Sequence, residues 1–229
     1  MSKLLSRLQL SHEASCDGLV EVSDNLSNNI PLSEQKIVRD TYKISQMIDY
    51  VFFRRFNGKE IISSQPIAYV IENESGKLTD KDLSKLHHTL WLNGTIPLLY
   101  VDQQDHVDIL SCISEPASNK ASNWEYQPLE KIFSTVENID KQIKRFSADR
   151  LSDGTFWDNE DNKKFVNINK SAHKVLIEKV KRADREVGGE NNPVARRLLL
   201  LTLLIKYLED RGVFSCEPDF FKKYYKDAK

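Results

Sequence analysis

Apolar and polar positions follow two different rhythms along this chain, and the change falls near residue 128. MIDYVFF (47–53) and QPIAYVIE (65–72) are β-branched and aromatic runs bounded by Asn57-Gly58 and by Asn73–Gly76. They predict two strands with the Asn-Gly in or near their connection. In LTDKDLSKLHHTLWLNG (78–94), Leu83, Leu86, Leu90 and Trp91 recur at helical spacing, Thr79 or Asp80 can cap the start, and Gly94 follows the end, so an amphipathic helix is predicted. IPLLYVD (96–102) and HVDILSCI (106–113) then read as two strands joined in a hairpin by the polar stretch Asp102–Asp105. The polar stretch SEPASNKASNWEYQP (114–128) has little to bury and reads as a linker.

Beyond it the strand signal fades. Ile132, Phe133, Val136, Ile139 and Ile143 trace one face of a helix expected over Leu129–Phe146, and residues 147–169 form an irregular connection with a turn at Asp153-Gly154. A second helix is expected over about 170–187. A third is expected from Pro193 to Arg211, with proline in its first turn and Gly212 just past its end. The aromatic DFFKKYY reads as a short closing helix. Leu198–Leu201, Leu203, Leu204, Ile205 and Leu208 surround most of the third helix, which predicts burial at the centre of a helical domain. Residues 11–40 are rich in Ser, Asn, Asp and Glu, with one apolar cluster at Leu19, Val20 and Val22.

The expected architecture is α+β: a partly ordered leader (1–41), a small mixed sheet domain of about four strands with a packed helix (42–113), a linker (114–128) and an all-helical domain (129–229). The 229 residues suffice for a sizeable core in one domain or two. Lys plus Arg (33) nearly balance Asp plus Glu (34), so nucleic-acid contact has to come from local patches. Cys16, Cys112 and Cys216 stand far apart, which excludes a disulfide framework or a close-paired zinc site and fits a reducing compartment. No apolar run approaches the roughly 20 residues needed to span a bilayer, and MSKLLSRLQLSHE turns polar too early for a secretory signal. A cytoplasmic protein without membrane contact is expected.

Candidate chemistry is sparse. Lys170, Lys174, Lys181 and Arg185 fall on one stripe of the second helix at about 100° per residue, opposite Ala172, Leu176, Val180, Ala183 and Val187. Such a stripe either tracks phosphates or is a solvated face, and Glu178 and Asp184 weaken its field. Arg54 and Arg55, at a strand end, are a second phosphate-gripping candidate, with structural ion pairing as the alternative. Asp49 and Glu72 have about the placement of a Mg²⁺-dependent PD-(D/E)xK nuclease, but Asn73 and Glu74 follow Glu72 where the motif requires its lysine. His87 and His88 are adjacent and point to different sides of their helix, so they do not chelate one ion. Neither a glycine-rich phosphate loop nor a Gly-x-Ser-x-Gly elbow is present. No catalytic residue and no metal ligand is assigned.

The segments DYVFFRRF, QPIAYVIE, LSKLHHTLWLNGTIPLLYVD, FSADRLSDGTFWDN and ARRLLLLTLLIKYLEDRGVF occur in this order. The order resembles the region preceding the catalytic core of bacterial adenine-specific (N6) DNA methyltransferases of restriction-modification or phage-defence systems. Leu90–Leu98 and Tyr207–Gly212 carry the likeness most specifically. The resemblance implies an N-terminal region of a longer enzyme, with double-stranded DNA and a methyltransferase core, in cis or in a partner subunit, as its partners. S-adenosylmethionine belongs with that core and no cofactor with this chain. The family's Phe-x-Gly-x-Gly-like loop and Asn/Asp-Pro-Pro-aromatic motif, which serve a flipped base, have no counterpart here. Asn191-Asn192-Pro193-Val194 lacks the second proline and the aromatic, and Asn192 is better explained as the cap of the helix starting at Pro193. Two rival readings remain: a divergent Mg²⁺-dependent nuclease built on Asp49 and Glu72, and a protein-interaction scaffold in which Trp91, Trp124 and Trp157 serve packing or partner contacts.

Overall fold

A computed structural model describes residues 3–11, 17–27, 29–57, 62–118, 123–135 and 139–210. The chain divides into two compact units, 1–174 and 175–229.

The first unit is built on one sheet whose six strands lie side by side in chain order: β1 (Leu19–Glu21), β2 (Tyr50–Asn57), β3 (Ile62–Glu72), β4 (Leu98–Asp102), β5 (His106–Ser111) and β6 (Glu130–Phe133). Every neighbouring pair is antiparallel except β3 and β4. A parallel pair needs a crossover, and the helix α3 (Asp80–Asn93) supplies it. Thr79 caps α3 in a reciprocal box with Asp82, and Gly94 ends it in the left-handed conformation at φ 61°.

The middle stretches of the central strands, Val51–Phe53, Ile67–Ile71 and Leu98–Val101, are apolar without a break because both faces are covered. Phe52, Val70, Leu98, Tyr100 and Ile109 face one core, which is filled from the other side by Leu4, Leu5, Leu8, Leu10, Phe146, Leu151, Phe156 and Phe165. Phe53, Tyr69, Ile71, Leu99 and Val101 face a second core with Val38, Leu83, Leu86 and Leu90. Phe52 and Phe53 point to opposite faces, and the register shifts between them. Pro66 opposes Phe53 at this irregularity, a place where a strand tolerates a residue without an N–H.

The sheet therefore has six strands where about four were expected. β1 and the helices α1 (Lys3–Arg7) and α2 (Leu32–Ile44) come from the stretch read as a leader, and four leucines of that stretch lie in the core. Gly18 precedes β1 at φ +108°, with its carbonyl accepting the Phe53 amide at 2.8 Å, and a Cβ there would stand 2.2 Å from the Phe53 carbonyl oxygen. Only glycine fits that approach. β6 occupies the start of the helix expected over Leu129–Phe146. The helical part is α4 (Ile139–Phe146), followed by α5 (Ala148–Asp153). The linker stretch runs back along β5: Leu129 donates its amide to the Ile109 carbonyl and the Tyr126 hydroxyl donates to Asp108.

α6 (Ala172–Glu186) spans the division between the units, and α7 (Pro193–Asp210) belongs to the second. Asn192 accepts the Ala195 amide through Oδ1 at 3.2 Å, the capping role its sequence indicates. The expectation of a buried third helix is not met among the described residues. Leu198 is 58 % exposed, Leu200 54 %, Leu201 43 % and Leu204 51 %. The apolar side of α6 is likewise open at Leu176, and Ile177, on the side of Lys174 and Lys181, is exposed as well. An apolar circumference creates a demand for burial but does not itself supply the covering surface. The expected closing helix DFFKKYY and Cys216 lie outside the described residues. No helix among the described residues is long and apolar enough to cross a membrane.

Candidate nucleic-acid interface

The two arginines at the end of β2 have structural partners. The Arg55 guanidinium donates to both carboxylate oxygens of Glu34 on α2, at 2.9 and 2.7 Å, and also to Asp17. The Glu34 hydrogen bond and the two neighbouring carboxylates push the Arg55 pKa up. Arg54 lies over the Phe56 ring at 4.7 Å and donates to the Asp153 carbonyl at 2.9 Å, which ties β2 to the turn after α5. The guanidinium fills the space beside Gly154, whose φ is +85°.

Of the basic stripe, Lys174, Lys181 and Arg185 are exposed on α6, where the Arg185 Nε donates back to the Lys181 carbonyl. Lys170 sits in the 3-10 turn Ile168–Lys170 before the helix, and its carbonyl accepts the indole N–H of Trp91 at 3.0 Å. Asp184, which interrupts the stripe, pairs with Arg196 of α7 at 3.4 Å. The α6 cations thus remain available to an external anion. A further set of cations, Lys141, Lys144, Arg145 and Arg150, stands on α4 and α5. The charged spacing of IDKQIKRF is the sequence signal for the first three of these, and Ile139 and Ile143 in the same stretch give an equally clear packing signal.

The fold brings together the two acids of the nuclease reading. Asp49 Oδ2 accepts the Glu72 amide at 2.6 Å, and burial pushes the Asp49 carboxyl above its ordinary value while this hydrogen bond opposes the shift. Among the described residues no three His, Cys, Asp or Glu side chains converge to hold a metal ion. The histidines part as their spacing requires. His88 stacks on Trp124 with ring centroids 4.1 Å apart. His87 is buried, with Nε2 2.7 Å from the Ser111 carbonyl, so Nε2 carries the proton.

Burial lowers the His87 pKa and the Ser111 hydrogen bond opposes it. An unfolded histidine titrates near 6.5. Stability linked to neutral His87 is therefore fully present above about pH 6.5 and is lost as pH falls toward the depressed folded value, because the unfolded state binds the proton first. Thermal melts between pH 7.5 and 5 are expected to show this loss, and His87→Gln should flatten it. An unchanged slope in the variant would assign the acid sensitivity to other groups.

Compared with known proteins, the chain matches no family model, no curated protein and no solved structure.

Proposed function

We propose that this chain is the non-catalytic N-terminal region of an N6-adenine DNA methyltransferase, which helps to position DNA or to dock the catalytic core. The observation that carries the reading is the state of α7, in the segment ARRLLLLTLLIKYLEDRGVF that gives the family likeness. Leu198, Leu201 and Leu204 recur at helical spacing and lie exposed. About half of each side chain is in water, which forgoes on the order of 1 kcal/mol each, so a partner surface that covers them stabilises the assembly. Exposed lysines on α6 fit a role beside DNA, whose phosphates reward local positive charge even where the whole chain is near neutral.

The test is fluorescence anisotropy of the chain with a labelled DNA duplex across a salt series. Binding should weaken steeply with salt, and Lys174→Glu/Lys181→Glu should lower the log-log salt slope by about two. Absence of binding at low salt would remove DNA from the proposal and leave core docking through α7.

A further inference from the structure

The segment FSADRLSDGTFWDN contributes more than the link between two helices. With α4 and the following 3-10 turn (Glu160–Phe165) it encloses a cleft of about 640 Å³. Lys141, Lys144, Arg145 and Arg150 contribute cations to its lining, while Asp158 and Asp161 contribute carboxylates. The cations therefore outnumber the anions, four to two, within a space large enough for a phosphate ester.

The cationic side is held in place by its neighbours. Arg145 donates through Nε to Asn162 Oδ1 at 2.7 Å, and buried Asn162 in turn donates to the Phe156 carbonyl at 2.8 Å. The Arg145 guanidinium lies 4.7 Å over the Phe146 ring, and its Nη1 reaches Glu130 at 3.4 Å. Arg150 donates to the Thr155 hydroxyl at 2.9 Å, and Thr155 is fixed by Asp153. Arg54 clamps the same turn from β2 through the Asp153 carbonyl. Arg145 Nη2 is closed to solvent and makes no hydrogen bond among the described residues. The Arg145 ion-pair partner Glu130 is shared with Lys164 at 2.6 Å, so part of the guanidinium charge is left for an anion in the cleft. Lys141 and Lys144 are exposed on α4 and make no ion pair among the described residues, so they add positive charge to the lining of the cleft.

We propose that this cleft binds a phosphate group, with Arg145 and Arg150 as the fixed donors and Lys141 and Lys144 as the long-range attraction. The phosphate belongs either to the backbone of DNA or to a free nucleotide or pyrophosphate. The site stands on the geometry of the sheet unit, and only its DNA form rests on the function proposed above.

Lys141→Glu/Lys144→Glu tests it, because both side chains are exposed and the melting temperature should not change. Two probes are titrated against the full chain: the labelled duplex by anisotropy, and pyrophosphate by calorimetry. Duplex binding weakened about tenfold, with the salt slope reduced by about two, supports a backbone-phosphate site. Pyrophosphate binding that the double variant abolishes, without duplex binding, supports the cleft as a site for free phosphates and removes the DNA function. Duplex binding that ignores this variant but responds to Lys174→Glu/Lys181→Glu, with no pyrophosphate binding, overturns the cleft and keeps the DNA function. Absence of binding to both probes at low salt overturns both.

Discussion

Deletion of residues 1–11 is expected to abolish the cooperative melting transition of the sheet unit. Leu4, Leu5, Leu8 and Leu10 are all buried in the core that also holds Phe52, Tyr100 and Phe146. At about 1.5–3 kcal/mol each, the four side chains contribute roughly 6–12 kcal/mol of burial, comparable with the whole net stability of about 5–15 kcal/mol typical of a domain. The same deletion removes the Leu8 carbonyl that accepts the Ala148 amide at 2.9 Å. Leu8→Ala is the graded version, expected to cost about 2–5 kcal/mol. Circular dichroism melts measure both. A deleted chain that melts within a few degrees of the intact one would mean that the segment only decorates the fold.

Arg55→Ala should have the next largest effect, a loss of about 3–5 kcal/mol read as a lower urea midpoint, because it strands a buried charge. The Glu34 side chain is 0 % exposed and that of Arg55 23 %, so Glu34 depends on the two guanidinium hydrogen bonds. Replacing both partners with apolar residues, Glu34→Leu/Arg55→Met, should cost much less than Arg55→Ala alone, since no ion is then left without a partner. A double variant as unstable as the single one would show that packing, not charge, is what Arg55 supplies. The pair also bears on DNA contact. With its donors directed at Glu34 and Asp17, Arg55 has little left to offer a phosphate.

The elements legible from the sequence were those whose signal is local. β2–β5 announced themselves by dense β-branched and aromatic runs, and α3 by its Thr79 cap, its apolar stripe and Gly94. What remained hidden depends on partners distant in sequence. β1 has only three residues and is defined by pairing with β2. β6 shows a single buried residue, Ile132, between exposed neighbours, and its alternation is as compatible with a helical face. α2 buries Glu34 and Gln35, polar residues that read as solvated until Arg55 and the Ile30 carbonyl are seen to satisfy them. The phosphate cleft was hidden for a related reason. Its cations become a group only when α4, α5 and the turn after them converge, and the strongest basic pattern visible in one dimension lay on α6 instead.

The hydrogen bond between Leu8 and Ala148 also sets an order of events during synthesis. About 140 residues separate the two, and at roughly 5–20 residues per second their translation takes on the order of 7–30 seconds. For that interval the leucines of α1 wait for most of the sheet that will cover them. The newborn chain thus carries an unsheltered greasy segment, of the kind chaperones hold, until its opening residues and Ala148 meet.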